Sequence, residues 1–139
     1  MNWRVRCLRK EARMPKQSAK TGYNAIVTKD YAAEFADPIT LTRGETAALD
    51  GRKSVWEDNP DWLWVWGENA QGKGGWTPCT RLRIEGSQGV ALEDYDAREL
   101  SVAAGERVSA WREACGWAWC VADANRSGWV PLSHLRHGS

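Results

Sequence analysis

From Asn24 onward the chain alternates between apolar and polar positions in short runs, and none of them keeps a helical period beyond one turn. Ala25-Ile26-Val27, Ile39-Thr40-Leu41-Thr42 and Thr46-Ala47-Ala48-Leu49 read as strands, with Arg43-Gly44-Glu45 as a turn. The second half repeats the series as Val90-Ala91-Leu92, Leu100-Ser101-Val102 and Val108-Ser109-Ala110, with Ala104-Gly105-Glu106 as the turn. The clearest recurrence is Trp64-Val65-Trp66 with Gly75-Trp76-Thr77-Pro78, matched by Trp117-Ala118-Trp119 with Gly128-Trp129-Val130-Pro131. Eleven positions separate Trp64 from Gly75 and Trp117 from Gly128, so the copies agree in residue type and register. Each copy predicts a β-hairpin, with turn formers at Asn69-Ala70-Gln71-Gly72 and Asp123-Ala124-Asn125. The pattern therefore predicts an all-β protein of two small domains.

A length of 139 residues accommodates two such domains only if each is near the lower size limit for a self-sufficient core. Ten tryptophans, nine of them after residue 50, supply much of the apolar area. The net charge of +1 conceals an asymmetry. Residues 1–20 hold seven Lys or Arg against Glu11 alone, while the remainder holds twelve basic and seventeen acidic residues. Residues 1–22 read as a disordered basic tail; a start at Met14, a solvated tail and an arm that touches nucleic acid or acidic lipid are all open for it. The expected domains are then 23–85 and 89–137, joined by Glu85-Gly86-Ser87-Gln88-Gly89. So short a connector makes the domains touch, and one could fill the other's groove.

The order Tyr, loop, Leu/Ile-Ser/Thr-Leu/Val, Gly-Glu, Trp, then Gly-Trp-x-Pro-x-x-x-Leu resembles the Src-homology-3 (SH3) domain, in tandem and in the variant form of bacterial proteins. Asp94-Tyr95-Asp96-Ala97 carries the likeness most clearly, and Asp30-Tyr31 repeats it. The resemblance spans about Asn24 to Leu135 and implies two small five-stranded SH3-like barrels. The first copy has about eight extra residues within Asp50 to Asp61, because Gly44 and Trp64 lie twenty positions apart against twelve for Gly105 and Trp117. Trp56 in that insertion either folds back over the barrel or serves a functional loop.

The resemblance also implies a groove of aromatic rings that takes an extended peptide. Its members here are Tyr31 or Tyr95, Trp64 or Trp117, and Pro78 or Pro131. Acidic neighbours Glu34 and Asp37, or Asp96 and Glu99, are placed to hold a basic ligand end. Two positions depart from the family: Lys29 and Glu93 replace the first tyrosine, Arg81 and His134 the last. That shortens the groove to Tyr, Trp and Pro. Structural roles stand beside these: strand-ending prolines, half-buried tyrosines, and packing for Trp66, Trp76, Trp119 and Trp129.

No catalytic residue, metal ligand set or cofactor motif emerges. Cys115, Cys120, His134 and His137 lack zinc-knuckle spacing, Cys79 has no oxyanion site, and Gly72-Lys73-Gly74-Gly75 precedes no helix. Cys7, Cys79, Cys115 and Cys120 do not recur at matched places, which suits reduced cytosolic thiols. The sequence has no apolar run long enough for a transmembrane helix and no secretory segment. The expectation is a cytoplasmic, non-enzymatic module that binds a protein or peptide. Alternatives are a nucleic-acid-associated protein using the basic arm and a structural dimerisation module; a monomer or a weak homodimer fits either.

Overall fold

The computed structural model describes residues 22–138. The basic tail, including Met14 and Cys7, lies outside them. The strands are β1 (Tyr23–Val27), β2 (Thr40–Leu41), β3 (Thr46–Val55), β4 (Leu63–Glu68), β5 (Gly74–Pro78), β6 (Leu82–Glu85), β7 (Gln88–Ala91), β8 (Tyr95–Asp96), β9 (Arg107–Ala114), β10 (Trp117–Asp123), β11 (Arg126–Pro131) and β12 (Leu135–His137). The described residues contain no α-helix, only short 3-10 turns at Trp56–Asp58, Cys79–Arg81 and Leu132–His134. They form two compact units: unit 1 is residues 37–97, and unit 2 is residues 22–36 with 98–138.

This division differs from a split at the connector. Unit 1 is a sheet in the order β5-β4-β3-β7-β6, and unit 2 a sheet in the order β11-β10-β9-β1-β12. The orders are the same once β7 stands for β1. The first strand of the chain pairs Tyr23 with Ala110 on one side and Ala25 with His137 on the other, both in the second half. The first half receives β7 in exchange, between β3 and β6.

The cause lies in Glu85-Gly86-Ser87-Gln88, which is a turn rather than a spacer. Glu85 pairs with Gln88 and Gly86 takes a positive φ of 62°, so only two residues link β6 to β7. Closing so short a loop costs far less entropy than bringing in β1 across some fifty residues. Gly89 lets β7 approach β6 closely, since a Cβ there would stand 2.9 Å from the Leu82 side chain. With that place taken, β1 completes the other sheet, and Ala25 and Val27 are each 1% exposed there.

The motif residues then acquire specific duties. Glu45 and Glu106 accept hydrogen bonds from the backbone N–H of Thr42 (2.9 Å) and Ala103 (3.1 Å), closing the Gly-Glu turns. The Asp of each Asp-Tyr pair steadies the turn of its own unit: Asp94 accepts from the Arg43 N–H (2.9 Å) and Asp30 from the Ala104 N–H (2.7 Å). Unit 2 closes over a core that includes Ala25, Val27, Leu100, Val102, Val108, Ala118, Cys120 and Val130. In unit 1 the buried residues include Ile39, Leu41, Ala47, Val65, Leu82, Ile84, Ala91 and Tyr95.

The insertion prolongs the β3–β4 hairpin instead of forming a separate loop. Pairing resumes at Lys53 with Val65 after an irregularity beyond Leu49, and Trp56 at the tip is half-buried with its backbone N–H on the Trp62 carbonyl at 2.9 Å. Unit 2 joins β9 to β10 through Cys115 (φ 49°) and Gly116 (φ 92°), a two-residue turn with both residues left-handed. Asn precedes Gly best in that turn. Cys115→Asn is expected to raise stability by about 0.5 to 1 kcal/mol, read as a rise in the thermal midpoint.

Candidate functional site

Tyr31 follows β1 and is fixed by backbone hydrogen bonds in both directions with Val102, each 2.9 Å. Its ring stands edge-on to Trp117, with centroids 5.5 Å apart and planes at 84°, and edge-on to His134 at 5.7 Å and 89°. Its hydroxyl donates to Glu99 Oε1 at 2.6 Å. The same oxygen accepts the Glu34 backbone N–H at 3.0 Å. Burial, then the hydrogen bond and negative charge of Glu99, then the charge of Glu34, hold the Tyr31 phenol well above its ordinary value. It remains a protonated donor at any physiological pH.

Pro131 lies opposite Trp117 at the end of the β10–β11 pairing and opens the 3-10 turn that delivers His134. The His134 carbonyl accepts the Thr28 N–H at 2.7 Å, and its Nδ1 lies 3.3 Å from the Lys29 carbonyl. A carbonyl only accepts, so this contact is a hydrogen bond when Nδ1 carries the proton. Tyr31, Glu34, Glu99, Trp117, Pro131 and His134 thus belong to one unit. Chain order had grouped Tyr31 and Glu34 with Trp64 and Pro78; the exchange of β1 moves them to the second set.

Unit 1 keeps Tyr95, Trp64, Pro78 and Asp37. Trp64 pairs with Pro78. Tyr95 is 5% exposed and donates its hydroxyl to the Trp76 carbonyl at 2.8 Å. Asp37 lies in an exposed ion pair with Lys73 at 3.2 Å, and Asp96 pairs its backbone with Thr40. The family departures find each other as well. Arg81, whose side chain is 5% exposed, pairs with Glu93 at 3.3 Å, in the place where His134 meets Lys29 in unit 2. Neither Trp64 nor Trp117 faces solvent, each being 7% exposed. The part of the set within reach of a ligand is therefore Tyr31, Glu34, Glu99 and His134.

The four tryptophans given a packing role form edge-on pairs, Trp66 with Trp76 at 5.3 Å and Trp119 with Trp129 at 5.6 Å. An arginine lies over one ring of each pair: Arg52 over Trp66 at 4.4 Å and Arg98 over Trp119 at 5.3 Å. No family model and no curated protein matches the chain.

Of the thiols, Cys120 is fully buried, which pushes its thiol up to about 12, too high for a nucleophile. Cys79 corrects the expectation of reduced thiols at its position, being disulfide-bonded and fully buried, whereas Cys115 and Cys120 are not bridged. Among the described residues no three His, Cys, Asp or Glu side chains converge as metal ligands, and no helix is long and apolar enough to cross a membrane.

Proposed function

We propose that the chain is a tandem of SH3-like barrels with exchanged first strands, acting as a non-enzymatic module that binds an extended peptide through unit 2. The observation that carries this reading is the contrast between the two tyrosines. Tyr95 is buried, with its hydroxyl spent on a backbone carbonyl, while Tyr31 is half-buried, held edge-on between Trp117 and His134 and oriented by Glu99. A fixed ring flanked by an imidazole and two carboxylates offers an apolar contact with directional hydrogen bonding beside it, at little cost in side-chain entropy on binding.

The test uses a displayed library of extended peptides selected against the full chain. Tyr31→Ala is expected to weaken the selected peptides at least tenfold, about 1.4 kcal/mol, with the circular dichroism spectrum unchanged. Tyr95→Phe is expected to leave them unaffected. Peptides that bind Tyr31→Ala as well as the parent would overturn the assignment of the site to unit 2.

A further inference from the structure

One position in unit 1 is open where its counterpart in unit 2 is filled. The strand pairings set the two sheets in register: Lys53 lies opposite Val65 as Glu113 lies opposite Ala118, and Ile84 lies opposite Gly89 as His137 lies opposite Ala25. Ser87 precedes Gln88, the partner of Ala48, as Tyr23 precedes Asn24, the partner of Ser109. In unit 2 the Tyr23 ring stacks on His137, with centroids 4.2 Å apart and planes within 5°. Its hydroxyl donates to Glu113 Oε2 at 2.7 Å.

At the same three places unit 1 has Ser87, Ile84 and Lys53. The ring is gone, an alkyl group replaces the imidazole, and an ammonium replaces the carboxylate. What remains is an open pocket of about 390 Å³ lined by these three with Leu49, Val65 and Arg52. That is room for an aromatic ring and a substituent, since about 150 Å³ of apolar cavity suffices for benzene. Asp50 and Gly51 complete the rim beside Arg52. The Arg52 charge is matched by Asp50 at 2.8 Å and its guanidinium lies over Trp66, which leaves Lys53 as the cation that sets the sign of the pocket.

We infer that this pocket binds a small aromatic acid, with the ring on Ile84 in the place of the Tyr23 phenol and the carboxylate directed to Lys53. Unit 2 supplies the shape of the ligand, because the fold already holds a stacked six-membered ring at that position. The reversal from Glu113 to Lys53 supplies its charge, replacing a hydroxyl that donates with an anion that accepts.

The full chain, labelled with nitrogen-15, is titrated with benzoate and in parallel with benzylamine. Saturable shifts of the Gly51, Gly86 and Ser87 amides are expected with benzoate, with a Kd on the order of millimolar for a ligand of about nine non-hydrogen atoms. Benzylamine is expected to bind at least about tenfold more weakly. Lys53→Glu, which restores the unit 2 charge, is expected to weaken benzoate about tenfold or more, and Ser87→Tyr to block the pocket. Lys53→Gln serves as the second charge variant should Ser87→Tyr fail to fold. Absence of saturable shifts at those amides, equal binding of benzylamine, or full benzoate affinity in Lys53→Glu and Lys53→Gln would each overturn the inference.

Discussion

Cut between Gly86 and Ser87, the chain is expected to give two fragments, 1–86 and 87–139, that are each unfolded alone and fold when mixed. The repeat in the sequence suggests the opposite, since the cut falls between its two copies. Yet it removes β7 from between β3 and β6, and it removes β1 from between β9 and β12. A sheet deprived of an inner strand loses two ladders of hydrogen bonds and the buried side chains on that strand, here Ala91 in unit 1 and Ala25 and Val27 in unit 2. Unit 1 also loses Tyr95 and Ala97, which are buried. A chain of residues 37–97 contains all of unit 1 and is expected to fold alone. Amide proton dispersion distinguishes the cases, and a folded 1–86 would show that β1 can close the first sheet after all.

The second large effect is expected from Gly128→Ala. A Cβ at Gly128 would stand 2.7 Å from the Glu99 carbonyl carbon, 2.9 Å from the Arg98 oxygen and 2.9 Å from the Leu100 nitrogen. All three are backbone atoms of a segment tied to β11 by hydrogen bonds from the Trp129 N–H to the Arg98 carbonyl (2.9 Å) and from the Leu100 N–H to the Trp129 carbonyl (3.0 Å). Such a segment cannot step aside as a side chain can, and the cost is expected at about 2 to 3 kcal/mol. The thermal midpoint should fall by roughly 10 °C. Gly75→Ala makes the comparison: its nearest neighbour is the Ile39 side chain at 2.8 Å, which can shift, so a smaller fall is expected. A Gly128→Ala midpoint no lower than that of Gly75→Ala would show that the backbone at 98–100 yields.

The strands and their spacing were legible because their information is local. Alternation marked the strands, and the Trp-x-Trp frame fixed the register of β4 on β5 and β10 on β11. The Gly of Gly-Trp-x-Pro was visible as a motif but not as a close approach, because the segment it admits is distant in sequence. Strand exchange was the main point missed, although two signals for it were present. Gly86-Ser87 between alternating runs has the form of a two-residue hairpin turn. Chain order would also have set Lys29 and Arg81, both positive, at the two ends of one groove, whereas the observed pairing joins Arg81 to Glu93.

The candidate site was legible in its residue types and not in its grouping. Tyr31, Glu99, Trp117, Pro131 and His134 were all singled out, but which tyrosine met which tryptophan depended on the exchange. The covering of Trp64 and Trp117 depends on packing, to which periodicity is blind. The pocket at Lys53, Ile84 and Ser87 becomes visible only when the two sheets are superposed in thought, residue for residue.

The exchange of strands has a consequence for biosynthesis. A ribosome delivers Tyr23–Val27 ahead of every other strand, yet their partners at Arg107–Ala114 and Leu135–His137 emerge last. Residues 37–97 can close while translation continues, and the leading strand stays unpaired until the final codons are read. The earliest element made is the latest one housed, so a nascent chain halted before residue 107 carries an unsheltered strand that a chaperone could hold.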